Sequence, residues 1–126
     1  ELTFEYCSAV LELPTGTELW RTCDAGSFRF SPDSRSVLGA DAYLDGFGHS
    51  FAEVRDVRDG EVLRRFEAGT VFDERWNDQQ SFLVSMQTNA GSNELLRVDL
   101  DPASMEVLES SAGTPGDPDG IIRLGG

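Results

Sequence analysis

Apolar residues recur at every second position along most of this chain. Leu96, Val98 and Leu100 give the clearest case, and the stretch 62–66 gives another. Alternation of this kind is typical of half-buried β-strands, and no window keeps the 3.6-residue period of an amphipathic helix. Clusters of Gly, Ser, Asp and Pro divide the chain into segments of about 5 to 8 residues, the usual length of a strand. The pattern predicts an all-β fold.

A short unit of sequence recurs with a spacing of 43 or 44 residues. The dipeptide Ala-Gly occurs three times, at 25–26, 68–69 and 112–113. Strand-like segments keep the same spacing, at 11–13, 55–57 and 98–100. The turn at 31–34 returns two periods later at 117–120. A repeat of this length that holds four short strands has the size of one blade of a β-propeller.

Two of the strand-like segments are followed by a turn that ends in glycine, Thr15-Gly16 and Asp59-Gly60. A glycine that takes positive φ allows a tight turn that matches the twist of the flanking strands. We therefore predict that each pair is the two-residue loop of a β-hairpin.

Residues 30–33 read Phe-Ser-Pro-Asp, and residues 56–61 read Asp-Val-Arg-Asp-Gly-Glu. With these motifs the chain resembles the tryptophan-aspartate (WD) repeat propellers over most of its length: the first matches the turn of that family and the second follows its repeat-ending hairpin. Arg55 stands where the family has its tryptophan, so TolB-like bacterial propellers are an equal match. The resemblance implies a β-propeller-like array of four-stranded antiparallel blades.

The repeat divides this single propeller segment into four parts. Residues 1–24 are the outer hairpin of a blade, 25–67 and 68–111 are two blades, and 112–126 begin a further blade or form a tail. Because a ring ordinarily needs four to eight blades, we expect the array to be incomplete on its own. It is then a fragment of a longer propeller, a homo-oligomer completed by its own copies, or a unit whose ends pair.

The charge and composition of the chain exclude some classes of binding partner. Acidic residues outnumber basic ones by 23 to 10, the formal net charge is −13, and all ten bases are arginine. An acidic surface does not suit a polyanion, so we expect no nucleic-acid partner. The chain has no apolar run near the roughly 20 residues that cross a bilayer, so we expect no membrane partner. Without lysine, Schiff-base chemistry is excluded.

The two cysteines flank the first predicted hairpin. Pairing about Thr15-Gly16 places Cys23 opposite Ser8, so a single bulge would bring Cys7 and Cys23 face to face. The alternatives are a disulfide and a pair of buried reduced thiols. A disulfide would favour an exported protein, extracellular or periplasmic, whereas reduced thiols would favour a cytoplasmic one.

Candidate catalytic chemistry is sparse. His49 is the only histidine, and its simplest interpretation is a loop residue that bonds to backbone. The Gly-x-Ser-x-Gly motif of serine hydrolases does not occur. A calcium loop starting at Asp41 fails because Tyr43 and Ala52 occupy ligand positions. We expect no enzyme activity, no cofactor and no specific metal site.

A binding role is better supported. In the propeller register one face carries the candidate contact residues Tyr43, Asp45, Phe47, His49 and Arg75. Loops on a rigid scaffold are common recognition sites, whereas Trp76 is expected in the blade core. We predict a noncatalytic scaffold that binds a protein or a small ligand. The alternatives are an accessory module of a larger enzyme or sensor, such as a peptidase or kinase with its catalytic part outside this chain, and a purely structural domain.

Overall fold

The computed structural model describes residues 7–42, 48–100, 104–111 and 124, and the regular secondary structure in these ranges is ten β-strands. The all-β class predicted from the alternation of apolar residues is confirmed. The strands are β1 (Ser8–Glu12), β2 (Thr17–Thr22), β3 (Ala25–Phe30), β4 (Ser36–Asp41), β5 (Ala52–Asp56), β6 (Val62–Phe66), β7 (Thr70–Asp78), β8 (Ser81–Gln87), β9 (Asn93–Asp99) and β10 (Met105–Ser111).

Neighbouring strands pair antiparallel in chain order and form three sheets. β1 and β2 form a hairpin, β3 to β6 form the middle sheet, and β7 to β10 form the C-terminal sheet. Two four-stranded antiparallel sheets are therefore present, as the repeat length predicts.

The turns after β1 and β5 are longer than the predicted two-residue loops. Four residues separate β1 from β2, and five separate β5 from β6. The Gly16 N–H donates to the Glu12 carbonyl at 2.7 Å, and the Gly60 N–H donates to the Asp56 carbonyl at 2.9 Å. Both glycines have positive φ, 75° and 77°. The predicted length of two residues is wrong, because the hydrogen bond that closes each turn runs from the glycine N–H to the carbonyl four residues earlier.

The middle and C-terminal sheets share one hydrophobic core. Its buried members are Leu38, Ala52, Val54, Phe66, Val71, Phe82, Val84, Met86, Leu96 and Val98. Burying a large aliphatic or aromatic side chain contributes about 1.5–3 kcal/mol. Trp76 packs against this cluster, and its indole N–H donates to the Arg29 carbonyl at 2.8 Å. Trp76, predicted in the blade core, is half-buried and lies at the margin of that core.

The hairpin packs on the other side of the middle sheet through Trp20. The Trp20 indole N–H donates to the Val57 carbonyl at 2.7 Å, and its ring meets Phe28 edge to face at 5.6 Å between centroids. Gly60 lies directly beneath the ring, because a Cβ atom there would sit 2.7 Å from it. A glycine at this position thus serves both the turn and the close approach of Trp20.

A disulfide joins Cys7 to Cys23. Ser8 pairs with Thr22, and the register shifts by one residue between Val10 and Leu11. Without this bulge the register of Glu12 with Thr17 would continue and place Thr22, not Cys23, opposite Cys7. A single bulge therefore aligns the two cysteines, although it acts on a longer turn than the predicted two-residue loop. The bridge ties the entry of β1 to the turn that leads into β3.

Candidate functional site

One end of the middle sheet collects polar side chains from separate parts of the chain. The turn from β2 to β3, the end of β4, the approach to β5 and the strand β6 meet there because antiparallel neighbours bring alternate strand ends together. They line an open depression of about 530 Å³, which we name the Arg65 pocket. Its lining residues are Cys23, Asp24, Asp41, Ser50, Phe51 and Arg65.

Arg65 is positioned by a buried carboxylate. Glu53 on β5 is fully buried, and its Oε2 accepts hydrogen bonds from Arg65 Nη2 at 2.7 Å and Nε at 3.0 Å. Its Oε1 accepts one from Arg55 Nε at 2.6 Å. The guanidinium carbon of Arg65 also lies 4.3 Å from the centroid of the Phe51 ring. These contacts hold Arg65 in one orientation while 38% of its side chain stays exposed.

Two aspartates line the same pocket. Asp41 accepts a hydrogen bond from the Ser50 hydroxyl at 2.5 Å. The backbone of Asp24 is fixed at both ends, since its N–H donates to Thr22 Oγ1 at 3.2 Å and its carbonyl accepts from Ala42 N–H at 3.0 Å. Among the residues that the structure describes, none bonds to the Asp24 carboxylate. The pocket therefore offers an exposed carboxylate on a fixed backbone.

A second pocket of about 220 Å³, which we name the His49 pocket, shares Asp41 with the first. It is lined by Cys7, Ser8, Gly26, Ser27, Asp41, Ala42 and His49. Cys23 lines the Arg65 pocket and Cys7 lines the His49 pocket, so the disulfide lies between them. The bridge thus forms part of the wall of both pockets.

His49 is bonded to backbone, as its simplest interpretation predicts. Its Nδ1 lies 3.0 Å from the Asp41 carbonyl oxygen. Its backbone N–H and carbonyl exchange two hydrogen bonds of 2.8 Å with Val71 on β7. This bridge fastens the β4–β5 connection to the C-terminal sheet.

The other predicted contact residues have different outcomes. Tyr43, Asp45 and Phe47 lie outside the described residues. Arg75 lies within β7, which begins at Thr70 directly after the turn; it pairs with Leu83 and lines neither of these two pockets. Its role in binding stays a prediction.

A third pocket lies at the opposite end of the middle sheet. It measures about 560 Å³ and is lined by Ser34, Arg35, Ser36, Asp56, Val57 and Arg58. Arg58 Nη2 donates to Asp56 Oδ2 at 2.8 Å, and hydrogen bonds from the Arg58 side chain and backbone hold the pKa of Asp56 below its usual range. Arg58 is 86% exposed. No buried partner among the described residues fixes this guanidinium, so size alone does not make the pocket the better site.

Glu74 is a second carboxylate that is partly shielded from water. It lies on β7 opposite the core residue Val84. Burial, with a smaller contribution from the neighbouring Asp73, raises the pKa of Glu74 to about 7, and Arg29 on β3 opposes the shift. Glu74 does not line any of these three pockets. Its raised pKa therefore bears on the stability of the fold and not on the candidate site.

Comparison with known proteins adds no family. Neither a scan of protein-family models nor a search of curated proteins finds a match for this chain. Within the described ranges, no group of three or more His, Cys, Asp or Glu side chains is placed to hold a metal ion. In that same part of the chain, no helix has the length and apolar character needed to span a membrane.

Proposed function

We propose that this chain is a noncatalytic segment of a β-propeller-like array and that it serves as a binding scaffold for a protein or small ligand. The observation that carries the proposal is the Arg65 pocket. Loop and strand-end residues from the hairpin and the middle sheet converge there around an oriented guanidinium and an exposed carboxylate. Convergent polar groups in a cleft between packed units are typical of ligand sites.

The strand bounds support the array. β1, β5 and β9 end at Glu12, Asp56 and Asp99, which keeps the spacing of 44 and 43 residues found in the sequence. In this register the hairpin corresponds to the third and fourth strands of a four-stranded sheet. The hairpin packs on one side of the middle sheet, and the C-terminal sheet packs on the other. Successive units stacked in chain order are what a propeller segment requires.

The strands at the two ends of the array support the proposal that the array is incomplete. Within the described residues, β2 is the only strand that pairs with β1. At the other end, β10 exposes large apolar side chains, namely Met105, Val107 and Leu108. Unpaired edges and exposed apolar strands favour association. We propose that further chain or further copies complete the array, and a rise in sedimenting mass with concentration would identify copies.

The disulfide supports an exported location. Disulfide bonds persist in oxidising compartments and are rare in reducing ones. We propose that the protein works outside the cytoplasm, in an extracellular or periplasmic setting. Counting free thiols in protein that is isolated from its natural source and then denatured without a reductant tests this. Two free thiols contradict the proposal.

Amide NMR on the complete chain tests the binding role. The probes are panels of small neutral, cationic, anionic and zwitterionic compounds, each added separately. We expect the largest shift changes at Asp24, Asp41 and Ser50, with no change at Ser34 and Ser36 at the opposite end of the sheet. The proposal fails if no probe perturbs the first group, or if the perturbations fall at the opposite end.

A further inference from the structure

The Arg65 pocket presents charges of both signs within one small space. We propose that it binds a small zwitterion with a carboxylate and an ammonium group, of the free α-amino acid class. This inference rests on the proposed function, because it takes the Arg65 pocket as the binding site. It adds the chemical class of the ligand.

Arg65 is suited to the carboxylate end of such a ligand. A guanidinium carries five N–H donors, and the bonds from Nε and Nη2 to Glu53 use two of them. The remaining donors belong to Nη1 and Nη2, on a side chain that is 38% exposed. Because Glu53 and Phe51 already fix the group, little side-chain freedom is lost when a carboxylate binds.

Asp24 is suited to the ammonium end. Its carboxylate is exposed and has no bond to any described residue, while its backbone is held by Thr22 and Ala42. Asp41 adds a second negative charge to the same lining. An ammonium group placed beside Asp24 gains charge-assisted hydrogen bonds without displacing a protein partner.

The mixture of charges selects against simpler ions. An anion that approached Arg65 would be repelled by Asp24 and Asp41, and by a chain whose net charge is −13. A cation beside the aspartates would leave the free donors of Arg65 without a ligand partner. A zwitterion satisfies both ends, and a pocket of about 530 Å³ falls within the range of small-ligand sites.

Calorimetric titration of the complete chain tests the inference. The probes are the common free amino acids, then the amide of the tightest binder, which keeps only the ammonium, and its N-acetyl form, which keeps only the carboxylate. We expect a free amino acid to bind and each derivative to bind at least tenfold more weakly. Equal binding of either derivative, or no binding by any amino acid, overturns the inference.

Matched variants locate the site. Asp24→Asn is expected to weaken the tightest binder about tenfold, since it removes one charge-assisted contact from an exposed residue. Glu67→Gln, which removes one exposed charge outside the pocket lining, is expected to leave affinity unchanged. Arg65→Lys keeps the charge but loses the two-pronged donor and is expected to weaken binding; amide spectra establish that each variant is folded.

Failure of the inference is distinguishable from failure of the proposed function. If only neutral or singly charged compounds perturb the amides of Asp24, Asp41 and Ser50, the pocket binds a ligand and the zwitterion assignment is wrong. If no compound of any charge perturbs them, both are wrong. Unchanged affinity of Asp24→Asn for the tightest amino acid also rejects the assignment.

Discussion

The two ends of the middle sheet each carry an arginine paired with a carboxylate at nearly the same distance, 2.7 Å for Arg65 with Glu53 and 2.8 Å for Arg58 with Asp56. Their surroundings differ. The carboxylate of Glu53 is fully buried and that of Asp56 is 15% exposed, while the side chain of Arg65 is 38% exposed and that of Arg58 is 86% exposed. A buried pair is expensive to break because the remaining charge lacks water, while an exposed pair contributes little. The two pairs therefore have nearly the same length, but they differ in how much they stabilise the fold and in how firmly they orient the arginine.

Replacing the buried carboxylate has the largest expected effect. Glu53→Gln removes the negative charge that Arg55 and Arg65 share. We expect a loss of about 3–5 kcal/mol in the free energy of unfolding, because two arginines lose their buried partner. Urea denaturation measures it. A loss below about 1 kcal/mol would show that the pair at this end behaves like an exposed one.

Opening the disulfide comes next. Cys7 and Cys23 are 16 positions apart, and releasing a loop of this length costs about 3 kcal/mol in the loop-entropy model. We expect the double variant, Cys7→Ser and Cys23→Ser together, to have a free energy of unfolding that is lower by that amount. The Arg65 end of the sheet should lose amide protection before the Arg58 end does. Equal protection at both ends would contradict a local role for the bridge.

Glu74 extends the comparison, because it is a half-buried carboxylate to which no arginine among the described residues is bonded. Its pKa in the folded chain is about 7, above the ordinary 4.5, so the folded state favours the protonated form. The stability this group adds is present below pH 4.5 and is lost as pH rises through 7. Between pH 5 and pH 8 we expect wild type to lose about 2–3 kcal/mol relative to Glu74→Gln. If the free energy of unfolding depends on pH in the same way in wild type and in Glu74→Gln, the raised pKa of Glu74 is rejected.

The exposed pair has the smallest expected effect. Arg58→Ala should leave the free energy of unfolding nearly unchanged, and any change should shrink further in high salt, because solvent screens this exposed pair. Urea denaturation at two salt concentrations measures both quantities. A loss as large as that of Glu53→Gln would remove the distinction between the two ends of the sheet.

The strands were accessible from the sequence, because alternation and repeat spacing depend on local order. The sequence also brought Cys7 and Cys23 close together, but it left a disulfide and reduced thiols as alternatives, and the hairpin register differs from the predicted one. The Glu53–Arg65 pair was not accessible from the sequence. A charged residue between Ala52 and Val54 reads as a solvent-facing position, and nothing local marks it among 23 acids. A two-residue loop at Asp59-Gly60 would also place Glu53 opposite Phe66. The observed partner is Arg65, because the turn is longer and a bulge follows Val54.

The backbone bridge between His49 and Val71 has a mechanical consequence. It joins the connection between β4 and β5 to the first strand of the next sheet, beside the shared core and the hydrogen bond from Trp76 to Arg29. A shift of one sheet against the other would therefore be transmitted to His49 and, through its ring, to the Asp41 carbonyl. Because Asp41 lines both pockets, their shape depends on how the two sheets are stacked.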